Sequence, residues 1–250
     1  MSLQSERVYG VEKRKIVELI NVYKIYQTRE GVEFVALRDV NLTIFNGDFV
    51  SIMGPSGHGK TTLLNMIGLL DRPTRGRVLI DGIDTTYLGD KELSILRNEK
   101  IGFVFQQYNL INRMTVLENI ELPLILRGIP RRKRIEMVLD ALEKVGGEEA
   151  WLNKRPTQLS GGQQQRVAIA RAIVGDPEII LADEPTGNLD TASSKVIMET
   201  FIKLNKLGKT IVMVTHASEI SNCSNKILLI RDGSLVGEAE PNWSDCVVNM

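Results

Sequence analysis

The feature that most constrains the fold of this 250-residue chain is a glycine-rich loop between an apolar strand pattern and an apolar helix pattern. Residues 49–53 predict a short buried strand, and Gly54-Pro-Ser-Gly-His-Gly-Lys-Thr61 follows directly, matching Gly-x-x-x-x-Gly-Lys-Ser/Thr without a gap. Four apolar residues then recur at helical spacing: Leu63, Met66, Ile67 and Leu70. Because glycines let consecutive N–H groups turn toward phosphate oxygens at a helix start, the segment predicts a phosphate-binding loop.

Charge and composition exclude several functional classes. Thirty-one Lys and Arg residues balance thirty-one Asp and Glu residues, so no overall field favours nucleic acid as a partner. The longest apolar runs, such as 179–182 and 227–230, fall far short of the roughly 18 residues that a membrane-spanning helix needs. Cys223 and Cys246 lack a Cys-x-x-Cys spacing, which indicates a reduced compartment and no metal site. We therefore expect a cytoplasmic chain that does not cross a membrane by itself.

Apolar periodicity predicts an α/β chain with three regions. Segments with the near-alternation of antiparallel strands lie at 16–26, 34–37 and 40–44. Between residues 115 and 145 the spacing becomes helical without intervening strands, which predicts a helical subdomain over residues 107–165. Strands and helices then alternate as a parallel sheet demands: a helix at 160–174, a strand at 179–183, a helix at 192–207 and a strand at 210–215.

The ends of the chain have separate interpretations. Asp232-Gly233 between two apolar runs predicts a closing hairpin over residues 227–236. We interpret residues 1–14 as a leader whose start, Met1-Ser-Leu3, has the form of a cloning remnant. Residues 15–240 then form one domain, and residues 241–250 form a tail without usable periodicity.

Two adjacent carboxylates end the predicted strand at 179–183. Asp183 and Glu184 are therefore expected at the carboxyl edge of the sheet, where ligands of open α/β folds bind. Neighbouring strand residues point to opposite faces, and Pro185 favours extended geometry for Glu184, so the two carboxylates need not share a role. An isolated Asp-Glu pair is ordinarily a strand end or turn, but the phosphate loop favours a functional interpretation.

A second glycine motif, Leu159-Ser-Gly-Gly-Gln163, begins another apolar helix. It places a hydroxyl and unhindered amides at a helix N-terminus, which is a second site for an anion, although Ser160 could also be an ordinary helix cap. Gln106 and His216 each follow a predicted strand. Taken alone, Gln106 would be a surface amide and His216 a structural cap, and Gln107 leaves the register of the glutamine open.

These motifs, in this order, resemble the ATP-binding cassette (ABC) ATPases over nearly all of residues 15–238. The resemblance implies a phosphate-loop nucleoside triphosphatase core with an antiparallel β subdomain and an inserted helical subdomain. It also implies that ATP and Mg²⁺ bind, and that 159–163 covers ATP held by a second cassette chain, a homodimer being favoured over a heterodimer. The sequences around the motifs look most like the subgroup that serves macrolide export, lipoprotein release and cell-division complexes, peripheral on the cytoplasmic face of the membrane beside an integral membrane subunit.

The resemblance assigns roles residue by residue. It implies that Lys60, Gln106, Glu184 and His216 act in hydrolysis, and that Thr61, Gln106 and Asp183 hold the metal. The residues implied to surround the nucleotide are Tyr26, Gly54, Pro55, Ser56, Gly57, His58, Gly59, Lys60, Thr61 and Thr62, with Ser160, Gly161, Gly162, Gln163 and Asp190 from the partner-facing side. Tyr23 is the alternative to Tyr26 as the aromatic that stacks on adenine. His58 fills a free position of the loop, where packing or solvent exposure is expected rather than chemistry.

Two other functions stay open on the sequence alone. A cassette that works with a soluble iron–sulfur assembly scaffold would share every motif. A phosphate-loop kinase or regulatory nucleotide-binding module would explain 54–61 and Asp183 but would leave 159–163 without a purpose.

Overall fold

A computed structural model describes residues 13–27 and 31–249, so most of the predicted leader lies outside the described residues. Two β-sheets form the body of the chain. The first has the order β2-β1-β4-β5, from strands β1 (Lys15–Gln27), β2 (Glu33–Phe45), β4 (Arg75–Ile80) and β5 (Ile83–Asp84). The second has the order β10-β9-β3-β8-β7-β6, from β3 (Phe49–Met53), β6 (Ile101–Phe105), β7 (Ile179–Asp183), β8 (Thr210–Val214), β9 (Lys226–Arg231) and β10 (Ser234–Ala239).

Seven α-helices accompany the sheets in the described part of the chain. They are α1 (Lys60–Ile67), α2 (Asp90–Lys100), α3 (Val116–Leu126), α4 (Arg131–Lys144), α5 (Gly161–Ile173), α6 (Thr191–Lys206) and α7 (Ser218–Ser221), with short 3₁₀ turns at Thr85–Tyr87, Glu149–Trp151, Pro156–Gln158 and Trp243–Asp245. The predicted α/β class, the antiparallel subdomain and the helical segment are all observed. None of these helices is long and apolar enough to cross a membrane.

The antiparallel sheet differs in one detail from its prediction. The expected strands at 34–37 and 40–44 form a single strand, β2, which pairs along β1 with register shifts. Asp39 lies between them with φ 46°, a left-handed conformation that Asp tolerates better than most residues. A bulge therefore absorbs the break in alternation without ending the strand.

The parallel sheet determines where the site forms. Strands β3, β6, β7 and β8 run parallel and are nearly all buried, as expected for strands covered on both faces. In register, Asp183 lies opposite Phe105 on one side and Val214 on the other. The segments that follow these four strands therefore meet at one edge of the sheet.

Helix α1 is shorter than the apolar spacing predicted. Leu63, Met66 and Ile67 are buried, but Leu70 lies beyond the helix and is 45% exposed. The helix stops because Leu69 has φ 54°, outside the helical region. The Gly68 position also packs closely, since a Cβ there would lie 2.6 Å from a ring carbon of Phe103.

The two cysteines, which the sequence analysis assigned to a reduced compartment, are joined in a disulfide. Cys223 follows α7, and Cys246 lies in the tail just after the 3₁₀ turn Trp243–Asp245. Both are buried and pack in the core cluster that includes Phe201 and Ile220. The expectation depended on the missing Cys-x-x-Cys spacing, and it failed because the tail folds back onto α7 and brings the two sulfur atoms together. The spacing of two cysteines in the sequence does not by itself predict whether they form a disulfide.

Candidate active site

The phosphate loop lies between β3 and α1, with its backbone closely surrounded by other strands. Gly57 and Gly59 have φ 79° and 97°, which a side chain would strain. A Cβ at Gly59 would also lie 2.5 Å from the carbonyl oxygen of Ala36, and one at Gly54 would lie 2.2 Å from that of Ile230. Glycine is therefore favoured at Gly57 by its conformation, at Gly54 by the lack of space, and at Gly59 by both.

Lys60, the first residue of α1, lies under this loop. Its side chain is buried, and its ammonium group donates to the carbonyl oxygens of Gly54 at 2.8 Å and Pro55 at 2.9 Å. These two bonds fold the lysine back along the loop, so its positive charge lies beside the loop backbone. The arrangement can attract and hold an anion.

The side-chain oxygen atoms of Thr61, which follows Lys60 in the chain, and of Asp183 lie close together, and both are suitable ligands for a hard metal ion. The Thr61 hydroxyl donates to Asp183 Oδ2 at 3.3 Å. The pKa of Asp183 is raised, chiefly by burial and further by the nearby charge of Glu184. The hydrogen bond from Thr61 and the charge of Lys60 lower this pKa but do not cancel the effect of burial. Among the described residues no three His, Cys, Asp or Glu side chains cluster as a metal cage. A hydroxyl plus one carboxylate instead fits Mg²⁺, which is typically held by one or two carboxylates, phosphate oxygens and water.

Glu184 and His216 form the closest acid–base pair at this edge. His216 Nδ1 lies 2.7 Å from Glu184 Oε2. The expectation of extended geometry at Glu184 was wrong, since its φ is 47°. Its N–H donates to the Val214 carbonyl at 2.9 Å, and its own carbonyl accepts from Gly187 at 3.0 Å, which closes a turn. These tertiary bonds outweigh the local preference that Pro185 imposes on the preceding residue.

Gln106 follows β6, next to the carboxylates, and contacts the loop after them. Its side-chain amide donates to Asn188 Oδ1 at 3.2 Å, and the Asn188 amide donates to the Gln106 carbonyl at 3.1 Å. Gln106 is half-buried, whereas Gln107 is exposed. The side chain of Gln106 therefore points to Asn188 and joins the start of the helical segment to the loop that ends at Asp190.

The second glycine motif forms a capped helix start. The Ser160 hydroxyl accepts from the Gln163 N–H at 3.3 Å, and Gln163 Oε1 accepts from the Ser160 N–H at 3.0 Å. This is the ordinary cap that the sequence left open, and the two glycines after it pack closely against neighbouring side chains. Gly161 lies against Tyr108, and Gly162 lies against Ser193 of α6.

Asp190 caps the neighbouring helix, α6. Its carboxylate accepts from the Ser193 N–H at 2.8 Å and from the Ser193 hydroxyl at 2.7 Å. These hydrogen bonds, the backbone one first, lower the pKa of Asp190. A charged group is thereby kept at an exposed helix N-terminus close to the second glycine motif.

Tyr26, at the end of β1, is 38% exposed and held by two residues that the sequence did not single out. Its hydroxyl donates to Asp71 at 2.9 Å, and the Lys24 ammonium lies 4.8 Å from its ring centroid. Lys24 also pairs with Asp71 at 2.6 Å. Burial raises the pKa of Tyr26, and the hydrogen bond to Asp71 adds to this. Tyr23, the alternative, is half-buried where β1 pairs with Arg75 of β4.

Gln165 is another residue that the sequence analysis missed. It is fully buried on α5, and its amide donates to the Pro185 carbonyl at 2.6 Å. The bond joins the helix of the second glycine motif to the turn that carries Glu184. A glutamine inside an apolar helix face was the available signal, because a buried amide is retained only with a partner.

His58 connects the phosphate loop to the hairpin of β9 and β10. Its Nδ1 accepts from the Asp232 N–H at 2.9 Å, and its carbonyl accepts from the Gly233 N–H at 3.2 Å. The side chain is partly buried, with 26% exposure. The imidazole therefore packs across the outside of the loop and fastens it to the neighbouring turn.

We expect His58→Leu to weaken ATP binding several-fold while leaving the turnover number close to that of the native chain. Loss of one neutral hydrogen bond costs about 0.5–1.5 kcal/mol, which corresponds to a roughly two- to tenfold change in affinity. A fluorescent-nucleotide titration measures it. The matched control is His58→Asn, whose amide oxygen can accept the Asp232 N–H. Equal weakening by both variants would contradict a role for this hydrogen bond.

The fold and the site together define a phosphate-loop nucleotide-binding protein. A glycine loop opens α1 beside a parallel sheet, and a hydroxyl, a lysine and two carboxylates converge at the carboxyl edge of that sheet. This is the arrangement in which nucleoside phosphates bind in open α/β folds.

Comparisons with known proteins specify the family. The model of the ABC transporter family matches residues 37–187. An uncharacterized ABC transporter ATP-binding protein of Thermotoga maritima is 53% identical over 224 residues, 90% of this chain and 95% of the relative. The lipoprotein-releasing system ATP-binding protein LolD of Aquifex aeolicus is 45% identical over 89% of this chain and 98% of its own length. The macrolide export ATP-binding/permease protein MacB of Aggregatibacter actinomycetemcomitans is 50% identical over 90% of this chain and 35% of that protein.

Solved structures agree with this relationship. The ATP-binding cassette MJ0796, in a dimeric post-hydrolysis state bound to ADP and Pi, matches with a TM-score of 0.84 and 49% identity over 91% of this chain and 99% of that chain. The chain therefore belongs to the ABC transporter family of ATP-binding cassettes, and it is an ATPase of that family.

Proposed function

We propose that this chain is the ATP-binding and ATP-hydrolysing subunit of an ABC transporter, which dimerises on ATP and drives a separate membrane subunit. The observation that carries the proposal is the 2.7 Å contact between Glu184 and His216, at the sheet edge that also presents the phosphate loop. This contact supports the assignment of Glu184 as the base and His216 as the imidazole that orients it, beside the phosphate loop. A nucleotide-binding module without hydrolysis has no use for such a pair.

Nucleotide binding is assigned to two separate surfaces. The loop 54–61 holds the phosphates through its backbone amides and the Lys60 ammonium. The Tyr26 ring, fixed by Asp71 and covered on one face by Lys24, offers its other face to adenine. In support, Tyr26 lies near Thr62, the second residue after Lys60, so the base and phosphate surfaces adjoin.

Mg²⁺ is assigned to Thr61 and Asp183, with Gln106 as the third candidate. When bound, Mg²⁺ neutralises charge on the β and γ phosphates. The Asp183 carboxylate is suited to the task because it lies beside the Thr61 hydroxyl. Burial raises its pKa, and a bound cation would favour the charged form instead. Gln106 would have to exchange its hydrogen bond with Asn188 for this role, which would carry a signal to the loop before Asp190.

Hydrolysis is assigned to Glu184 and His216. Glu184 accepts a hydrogen bond from a water molecule and orients it for in-line attack on the γ-phosphorus, while His216 keeps the carboxylate in place. As the new P–O bond forms, the bond to the β-phosphate oxygen breaks, the water proton passes to the carboxylate, and ADP and phosphate leave. Lys60 stabilises the charge that develops on the phosphate oxygens.

Dimerisation is assigned to the second glycine motif and to Asp190. Residues 159–163 would cover ATP in the partner's loop, so two ATP molecules would hold two copies of the chain together. The dimeric state of MJ0796, a cassette of nearly the same length and fold, supports this assignment. A homodimer is favoured because one chain carries every motif once.

An integral membrane partner completes the proposal, with this chain bound peripherally on the cytoplasmic face of the membrane. MacB is named as a joint ATP-binding and permease protein, and this chain matches 35% of it. LolD is named as the ATP-binding protein of a lipoprotein-releasing system. We propose an equivalent separate membrane subunit, with export or lipoprotein release as the class of work.

We expect an affinity-tagged chain to recover an integral membrane protein from detergent-solubilised membranes of its own source. Quantitative mass spectrometry measures the enrichment against a tagged chain whose helical segment is changed at exposed positions, such as Leu126→Glu, and whose ATPase activity is verified as unchanged. Recovery of soluble partners alone would contradict the transport role and favour the cassette that serves a soluble scaffold.

A further inference from the structure

The C-terminal tail is fastened to α7 by a covalent bond and by two hydrogen bonds that backbone N–H groups of the tail donate. The disulfide joins Cys246 of the tail to Cys223, two residues after α7 ends. The Val247 N–H donates to the Glu219 carbonyl at 3.0 Å, and the Asn242 N–H donates to Asn222 Oδ1 at 2.9 Å. The disulfide and the two hydrogen bonds hold residues 242–247 of the tail against α7. We call the tail and α7 together one unit.

This unit borders the catalytic pair. Helix α7 begins two residues after His216, so movement of α7 is transmitted to the imidazole through only one intervening residue, Ala217. A cavity of about 550 Å³ is lined both by Glu184 and His216 and by Asp245 and Val247 of the tail. The tail is therefore part of the surroundings of the site rather than a separate appendage.

The disulfide is also shielded from solvent. Cys223 is 2% exposed and Cys246 is fully buried. Thiol–disulfide exchange needs a thiolate to reach a sulfur atom, so the tail must separate from α7 before a reductant reacts. Burial can thus keep the bond closed in a compartment that reduces exposed disulfides.

We propose that the Cys223–Cys246 disulfide is a positioning element for ATP hydrolysis: it keeps the tail against α7 and thereby holds His216 beside Glu184. The proposal rests on the roles assigned above to these two residues. Cleavage by a dithiol is balanced: the reagent's two thiols form its own cyclic disulfide, and the two electrons and two protons that they lose convert the protein disulfide to two thiols. The cysteines act through His216 and touch no nucleotide.

The test compares the full chain with the bond closed, with the bond reduced and alkylated, and with the Cys223→Ala/Cys246→Ala variant. We expect the turnover number to fall roughly three- to tenfold in both open forms while the KM for ATP stays within about twofold, because a small misplacement of a catalytic group lowers rate without touching the phosphate loop. Hydrogen exchange of the amides at 217–223 should accelerate in the open forms. Reoxidation of reduced, unalkylated chain should restore both properties.

The controls separate this proposal from the proposed function. The dithiol must leave the double alanine variant unchanged, which excludes a direct effect of the reagent. An oxidised native chain without ATPase activity would refute the proposed function. A native chain that hydrolyses ATP at the same rate with the disulfide open or closed would refute the positioning role of the disulfide and leave the proposed function intact. The disulfide proposal would also be overturned if the denatured, oxidised chain contained two free thiols. A raised KM for ATP with an unchanged turnover number in the open forms would overturn it as well.

Discussion

Glu184→Gln should reduce ATP turnover by at least about 100-fold while leaving ATP binding intact, because glutamine keeps the size of the side chain but cannot accept the water proton. The phosphate loop, Lys60 and Tyr26 are untouched by the change. Two ATP molecules would then stay bound between two chains, and the dimer should accumulate. Phosphate release measures the first effect, and light scattering in saturating ATP measures the second, as a mass of twice 28.0 kDa.

Glu178→Gln is the matched control. It makes the same substitution at the residue before β7, whereas Glu184 lies at the other end of that strand. Glu178 pairs with Lys100 and Arg14, outside the site, and its loss should affect stability slightly and turnover little. Exposed or partly exposed ion pairs contribute only about 0–1 kcal/mol. A Glu184→Gln chain that remains a monomer in saturating ATP would contradict the two-chain arrangement, whereas normal turnover in that variant would remove Glu184 from its catalytic role.

Much of the fold was predictable because its signals are local. The strand before the phosphate loop, the helix after it and the Asp232-Gly233 hairpin each depend on residues that are neighbours in sequence. The hairpin turn illustrates this, since both central residues have positive φ, as Asp-Gly favours. Helix α5 begins at Gly161 directly after Ser160, as the motif predicted.

The parts that were not predictable depend on contacts between distant segments. Pro185 indicates extended geometry at Glu184, but bonds to Val214 and within the turn impose a left-handed conformation. The disulfide joins residues 23 positions apart through a tail that has no periodicity of its own. Similarly, Asp71 reaches Tyr26 from 45 residues away. In each case the burial or bonding partner is specified by the tertiary fold and by no local pattern.

The site combines both kinds of information. Sequence motifs identify which side chains carry chemistry, and the order of the parallel strands explains why 54–61, Gln106, Glu184 and His216 share one edge. What the motifs do not contain is the support around them: Gln165 under the Pro185 turn, His58 against the hairpin and the tail behind α7. We expect these contacts to determine how rigidly the phosphate loop, Glu184 and His216 are held, and the His58 and cysteine variants test this expectation.

Lys60→Met should weaken ATP binding by about 100-fold and bring hydrolysis below detection, because charge-assisted hydrogen bonds are worth about 1.5–3 kcal/mol each and the phosphates would lose their buried cation. Methionine keeps the apolar length of the buried lysine stem, so the variant should fold. A fluorescent-nucleotide titration measures the affinity, and circular dichroism verifies the fold.

Two further variants determine whether the charge alone is responsible. Lys226→Met removes a half-buried lysine that pairs with Glu238 on the hairpin, and it should leave the affinity for ATP unchanged. Lys60→Arg keeps the charge but replaces a compact ammonium by a wide planar guanidinium, which cannot repeat the bonds to Gly54 and Pro55 in the same space. We expect it to bind ATP weakly as well. If the affinity of Lys60→Met stays within about threefold of the native value, the loss in binding free energy is smaller than that of one charge-assisted hydrogen bond. That result would mean that the backbone amides of the loop hold the nucleotide without the lysine.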